Sequence, residues 1–386
     1  FSVTGSTLFN VTSTNDTLEL NDGTIPASGQ GNLTSTSSTT PSAIGAGGHV
    51  ILREDGMYVV IHGGASTAIS LWNGTSSSMT ALGVTLNANA GAGSISVRRP
   101  DGRYLVVHGG GVNTSSVIDP YGRTPTIAGP TIGGACTTGT NAFQRPDGKF
   151  VIMCGGTAAI SVYDPIANTV SGGPASGIGN YGAGAHAIQR ENGTFLVFLG
   201  GNTTSHFIYN PNTSAVGTFT NVNPITSNAP TITTGSFSIR RQDGKFLVLG
   251  GAINTSSIYD PTETATTTNM GAGTMTAQSG AGLGPTAALA DGAQAFWRPD
   301  GKYLLIIGSG SATTNIIDPS QSGSSQFTAG PNLGTTAGAG VTAFMNPVGH
   351  YSILSGGGSA IDDYDMGYII GGQYSNELSA YYETEC

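Results

Sequence analysis

The sequence predicts an all-β fold, a seven-bladed β-propeller of four-stranded antiparallel blades. Three observations predict it. One phrase occurs seven times, as in Arg298-Pro-Asp-Gly-Lys-Tyr-Leu-Leu-Ile-Ile-Gly308, with turn glycines at Gly56, Gly102, Gly148, Gly193, Gly244, Gly301 and Gly349. These glycines recur at intervals of 45 to 57 residues, a period that belongs to propeller and solenoid arrays. Helical periodicity is nowhere sustained, and 61 glycines oppose it.

Each repeat justifies four strands in turn. A short apolar run ends in Arg, as in Ala142-Phe-Gln-Arg145. Asp-Gly then turns the chain, because glycine accepts the positive φ that a tight hairpin demands. A β-branched and aromatic run follows, such as Tyr303-Leu-Leu-Ile-Ile307, apolar on both faces as a strand packed between two sheets must be. Double glycine usually ends it. A third strand closes on Asp-Pro or Asn-Pro (Ser161-Val-Tyr-Asp-Pro165, Ser257-Ile-Tyr-Asp-Pro261), where Pro cannot continue the hydrogen-bond ladder. A Thr- and Gly-rich fourth segment leads to the next repeat.

The phrase strand, Gly-Gly, strand, Tyr-Asp-Pro resembles the kelch repeat, and the blades are similar to those of kelch and galactose-oxidase-type propellers. The resemblance covers nearly the whole chain at the level of architecture, and the kelch Trp of the fourth strand is missing. Galactose-oxidase-like copper chemistry would imply a Tyr–Cys cross-link with a Tyr and two His as ligands. No motif among the three Cys and six His assigns that set.

The two ends of the chain are expected to meet. Ser6-Thr-Leu-Phe-Asn-Val-Thr12 matches a third strand and Asp16-Thr-Leu-Glu-Leu20 can serve as a fourth. Residues 1–22 are therefore expected to complete the last blade, within a propeller spanning 1–358, and so to remove an open sheet edge. Residues 359–386 are left over as an acidic, Tyr-rich, strand-forming extension without Lys or Arg. They could replace the N-terminal strands, begin an eighth blade, or pair with another subunit. The long segments 220–236 and 262–290 read as flexible connectors or binding loops.

Composition narrows the function. Charged residues make up 9% of the chain, against roughly 25% in ordinary soluble proteins. The net charge of −9 and only 13 Lys and Arg argue against nucleic-acid binding. No run of 18 apolar residues suggests a membrane span. Sequons at Asn10, Asn15, Asn32, Asn73, Asn113, Asn192, Asn202, Asn212 and Asn254 fit a secreted glycoprotein whose sugars supply hydration. In an oxidising compartment Cys136 and Cys154 could pair, leaving Cys386 free or available for a cross-link; three unpaired thiols are the alternative.

The repeated residues read mainly as scaffold. Arg53, Arg99, Arg145, Arg190, Arg241 and Arg298 recur with Asp119, Asp164, Asp260 and Asp318, which suggests an Arg–Asp bridge around the ring rather than an anion site. His62 and His108 occupy equivalent positions before the double glycine, with Cys154 as their counterpart. Neighbouring blades lie about 10 Å apart, too far for one ion, so hydrogen-bonded core histidines are expected. Asp362, Asp363 and Asp365 lack an EF-hand pattern.

No catalytic constellation, cofactor or metal site emerges. The expected function is a structural one: a secreted, glycosylated building block of an extracellular filament, surface layer or matrix, with copies of itself as partners. The alternatives are a glycan-binding or adhesive propeller and a degenerate propeller oxidase or glycan-acting enzyme.

Overall fold

The computed structural model describes residues 8–14, 17–23, 31–72, 79–174, 178–222, 229–252, 255–262, 273–278, 284–308, 310–321, 323–346 and 349–366. They form seven four-stranded antiparallel sheets and one separate two-stranded sheet. Blade 1 consists of His49–Leu52, Tyr58–Ile61, Ile69–Trp72 and Thr80–Ala81. Blade 2 consists of Ile95–Arg98, Tyr104–Val107, Ser115–Ile118 and Ile127–Ala128. Blade 3 has Thr137–Gln144, Phe150–Gly155, Ile160–Asp164 and Thr169–Gly172, and blade 4 has His186–Gln189, Phe195–Phe198, His206–Asn210 and Thr218–Asn221. Blade 5 has Phe237–Arg240, Phe246–Leu249, Ser256–Asp260 and Thr274–Ala277, and blade 6 has Gln294–Trp297, Tyr303–Ile306, Thr314–Ile317 and Phe327–Ala329. Blade 7 is assembled from Thr342–Met345, Tyr351–Leu354, Gly358–Asp365 and Asn32–Ile44. The first strands of neighbouring blades approach one another around the axis.

The core is distributed rather than central. Seven clusters of buried apolar side chains lie one between each pair of adjacent blades. The second strand of each blade explains this. Leu105 and Val107 face blade 3, while Val106 between them faces blade 1. All three are fully buried, which is why the run carries no polar alternation. Each such side chain contributes about 1.5–3 kcal/mol by leaving water.

The closure differs from expectation in its strand. One N-terminal strand does complete the last blade, but it is Asn32–Ile44, paired with Gly358–Asp365. Residues 1–22 do not: Leu8–Thr14 pairs with Thr17–Gly23 as a separate hairpin. The third strand of blade 7 comes from the C-terminal side, so the expected boundary at 358 falls inside a strand. The reason is local. Tyr364-Asp365 stands where Tyr163-Asp164 and Tyr259-Asp260 stand in their blades, opposite the first residue of the second strand. The third-strand pattern therefore continues through Ala360-Ile-Asp-Asp-Tyr364, and only one place in the blade remains for the other end. Residues 367–386 lie outside the described residues.

Candidate functional site

Strand direction gives the ring two unlike faces. The hairpin turns between first and second strands, and the turns after third strands, lie on one side, the turn face. The loops after second strands, and those entering first strands, lie on the other, the glycine face.

On the turn face the repeated Arg works between blades. Arg99 Nη1 donates to Tyr163 Oη of blade 3 at 2.7 Å and to Asn168 Oδ1. Arg145 reaches Tyr209 Oη at 3.2 Å and the Ala215 and Pro211 carbonyls of blade 4. Arg298, fully buried, reaches Tyr364 Oη of blade 7 at 2.7 Å. Arg190 donates to the Pro261 carbonyl, Arg241 to the Gln321 carbonyl, and Arg53 lies over the Tyr121 ring.

The expected Arg–Asp bridge is therefore corrected in its partner. In five of the six the carboxylate on the Arg is its own turn Asp, two residues on, as in Arg99–Asp101 and Arg298–Asp300; in blade 4 the turn residue is Asn192, and Arg190 donates to Thr194 Oγ1 instead. The third-strand aspartates instead meet Arg123 (Asp119), Lys149 (Asp164), Lys245 (Asp260) and Lys302 (Asp318). They also accept backbone N–H groups two residues on, as Asp260 does from Thr262. Partial burial opposes ionisation of Asp260, yet the Lys245 and Thr262 hydrogen bonds hold its carboxyl down at about 2. A planar guanidinium suits the longer reach, since it can bond a phenol, a carbonyl and a carboxylate together.

On the glycine face the ring closes by backbone contact. The loop entering each first strand is a turn whose third residue is a glycine of positive φ. In blade 2, Ser94 N donates to Gly91 O at 2.8 Å with Gly93 at φ 81°. A Cβ on Gly93 would lie 1.9 Å from the carbonyl oxygen of Thr137 in blade 3. The same approach joins Gly47 to Gly91, Gly139 to Gly182, Gly184 to Thr233, Gly235 to Ala290, Gly292 to Gly338 and Gly340 back to Gly45. Sequence reading passed over this second sevenfold repeat, although Gly-Ala-Gly stands before the first strand in blades 1, 2, 4 and 7.

The histidines of this face are scaffold. His62 shares hydrogen bonds with Ser42 and Ser70 hydroxyls at 2.7 Å each, and His108 with Thr114 and Ser116 at 2.8 and 2.7 Å. His49 reaches Ser96, and His186 reaches Ser238, in each case on the next blade. Burial lowers the pKa of His49, His62, His108 and His206, and pushes that of His186 down to about 4. Cys136 and Cys154 are joined by a disulfide beside them. With both ring nitrogens engaged and these two thiols bonded to each other, the set does not fit a copper ligand set. Among the described residues no group of three or more His, Cys, Asp and Glu is placed to hold a metal ion. His350 is the exception in position and in sign: on the turn face, its hydrogen bond to Asp363 raises its pKa.

Of the sequons, Asn32, Asn113, Asn192, Asn202 and Asn212 are exposed. Asn113 and Asn202 stand on the glycine face, and the other three at the turn face. The Asn10 side chain and the Asn15, Asn73 and Asn254 sites lie outside the described residues.

The charge distribution is the strongest asymmetry. All 13 Lys and Arg stand at turn-face ends of strands: the six repeated Arg, then Arg103, Lys149, Lys245 and Lys302 after the turn glycine, Arg98 and Arg240 before the turn, and Arg123 after a third strand. Among the described residues the glycine-face loops carry Asp291 as their one charged residue.

No protein-family model and no curated protein matches the chain. Solved structures share its fold. A fungal alcohol oxidase of the AA5 family, solved in complex with copper, is similar at 16% identity, TM-score 0.62, over 87% of this chain and 76% of that one. Virginiamycin B lyase from Staphylococcus aureus is similar at 12% identity, TM-score 0.53, over 86% and 99%. Hydrazine synthase from Kuenenia stuttgartiensis is similar at 14% identity, TM-score 0.51, over 82% and 94%. At these identities the likeness concerns architecture alone: a β-propeller shared by proteins of unrelated chemistry.

Proposed function

We propose that this chain is a secreted, glycosylated structural protein, the building block of an extracellular filament, surface layer or matrix that assembles from copies of itself. The observation that carries this reading is the segregation of charge. Every cation is withdrawn to one face, and among the described residues the opposite face is built mainly of Gly, Ala, Ser, Thr and Asn, with Val112 exposed and a single Asp. A contact made through such a face buries almost no charge, and charge is what makes burial expensive. Repulsion between copies is weak for the same reason. Three of the five exposed sequons, Asn32, Asn192 and Asn212, stand at the turn face, where sugars would lie away from that contact.

Electron microscopy of native material together with intact mass tests this directly. Filaments or sheets, with mass well above the 38.8 kDa polypeptide, support the building block. Isolated discs of near-polypeptide mass overturn it and favour a binding module. A finer test adds charge to the glycine face at exposed Asn89 and Asn180. The Asn89→Lys, Asn180→Lys variant is expected to fold normally and to assemble poorly at low salt. Assembly as good as that of the parent would remove this face from the contact.

A further inference from the structure

We propose that His350 is a proton-operated clamp on the closure of the ring: charged, it holds Gly358–Asp365 in place as the template on which Asn32–Ile44 closes blade 7, and neutral, it gives up that hold.

Superposing the repeats shows that blade 7 departs from the other six in a set of residues that meet. One step in from the turn face, the second and third strands of blades 1 to 6 pair two apolar residues, as in Leu105 with Val117, Val151 with Val162 and Leu304 with Ile316. In blade 7 that pair is Ser352 with Asp363. The residue after the turn glycine is Lys149, Lys245 and Lys302 in blades 3, 5 and 6, each paired with the aspartate that ends its third strand. In blade 7 it is His350. The place of the repeated Arg holds Asn346, which stays within its own blade and donates to Asp363 Oδ1 at 3.1 Å. His350 Nδ1 lies 2.7 Å from Asp363 Oδ2, and its Nε2 lies 3.5 Å from Asp365 Oδ1. A carboxylate set into an otherwise apolar position is costly unless it is paired. The four strands of blade 7 contain no Lys or Arg, so the cation available within the blade is a titratable one.

The clamp falls on the closure. The closing strand keeps regular register only over Asn32–Ser35, opposite Asp365, Tyr364, Asp363 and Asp362, and its register shifts twice between Ser35 and Ile44. His350 therefore ties the second strand to the third just where the closing strand is seated. A Lys would do so at any ordinary pH, whereas a His does so as a cation only when protonated. The hydrogen bond to Asp363 raises the His350 pKa against the opposing effect of burial. The clamp is then complete below the ordinary value of 6.5 and is lost as pH rises through the raised one. What remains is two carboxylates on one face of the strand with a neutral ring between them. The neighbouring charges are engaged elsewhere. Arg298 and Asp300 of blade 6 pair with each other, and Arg298 reaches Tyr364 on the opposite face of the strand. In blade 1, Arg53 pairs with Asp55, Glu54 pairs with Arg98 of blade 2, and Tyr58 Oη donates to the Met345 carbonyl. Asn32 and Thr34 of the closing strand are neutral.

Hydrogen exchange of the full chain, followed by mass spectrometry and corrected for the pH dependence of the intrinsic rate, tests the proposal. Asn32–Ser35 is compared with Thr169–Gly172, the outer strand of blade 3, where Lys149 holds the place of His350. Between about pH 5.5 and about pH 8.5, opening of Asn32–Ser35 is expected to rise by about tenfold relative to that reference, the scale of one hydrogen bond to a charged group. His350→Lys is expected to abolish the rise and to keep the strand protected at both pH values. His350→Gln is expected to abolish it too, with the strand open to the higher degree throughout. A parent chain in which the two strands respond alike overturns the proposal, and so does a rise that survives in either variant. Should His350→Lys fail to fold, loss of the rise in His350→Gln supports the clamp and its persistence overturns it.

Discussion

The two faces of this ring are built from the same repeat and are held together by opposite means. At the turn face, long charged side chains cross from one blade to the next, from Arg99 to Tyr163 and from Arg298 to Tyr364. At the glycine face no Arg or Lys crosses, and the side chains that do are neutral, His49 to Ser96 and His186 to Ser238. Backbone meets backbone, with Gly184 lying directly against the Thr233 carbonyl. The difference teaches that a propeller can secure its blades at one end alone with charge and leave the other end free of it. That free end is the surface on which the assembly proposal rests.

The largest expected effect breaks the backbone contact. Gly184 and Gly193 have nearly the same φ, 82° and 77°, but different neighbours. A Cβ on Gly184 would lie 1.8 Å from Thr233 O, whereas one on Gly193 meets nothing within 4 Å. Gly193→Ala is expected to cost about 1–2 kcal/mol, the backbone term alone. Gly184→Ala is expected to cost about 4 kcal/mol or more, because a carbonyl must move as well. Denaturant unfolding of the two variants measures the difference, and equal losses would mean that the glycine ring is not tightly closed.

The turn-face latch comes next. Arg298→Ala strands Tyr364 and Asp300 in a buried site and is expected to cost about 3–5 kcal/mol. Arg241, whose side chain is 13% exposed and pairs with Asp243, is expected to lose about 1 kcal/mol in the same substitution. The comparison by chemical denaturation separates a latch whose carboxylate is mostly buried from one whose carboxylate is exposed.

The disulfide closes a loop between positions 18 residues apart on the glycine side of blade 3. Replacing Cys136 and Cys154 together by Ala is expected to lower stability by roughly 3 kcal/mol. A variant as stable as its parent under oxidising conditions would show that the neighbouring glycine contacts already hold that loop.

The smallest effect at neutral pH is the histidine asymmetry, which appears on acidification. His186 is held neutral in the fold down to about pH 4, while in the unfolded chain it takes a proton near 6.5. The unfolded state thus binds more protons between those values, and stability falls as pH drops from 6.5 to 4. On the order of 3 kcal/mol is at stake for His186 by pH 4. His49, His62, His108 and His206 act in the same direction. His350 acts in the opposite one: its pairing with Asp363 contributes fully below its unfolded pKa and is lost as pH rises through its raised folded value. His186→Gln should flatten the acid slope, and His350→Gln should leave that slope and lower stability most at acid pH. Unfolding free energies at pH 4, 5.5 and 7 decide both.

Much of the fold was legible because its signals are local. Asp-Gly turns, double glycines and Tyr-Asp-Pro endings each report a few neighbouring residues, and their recurrence counts the blades. The closure was misread for the same reason. Ser6-Thr-Leu-Phe-Asn-Val-Thr12 resembles a third strand taken alone, but Ala360-Ile-Asp-Asp-Tyr364 lies where the third strand of blade 7 has to be. The repeated Arg was legible as scaffold, whereas its partner was not: Arg99 and Tyr163 are 64 residues apart, as are Arg145 and Tyr209. The glycine ring was illegible because it depends on which residues share one level around the axis.

By itself the sequence determined the class, the number of blades and the composition of each strand, since period-2 burial and turn chemistry act within about 46 residues. Only the tertiary structure decided which ends close the ring, which side chains bridge neighbouring blades and that all 13 cations share one face. Those are consequences of wrapping a one-dimensional repeat into a circle. Wrapping turns a fixed offset along the chain into a contact, and turns alternate chain reversals into two opposite surfaces.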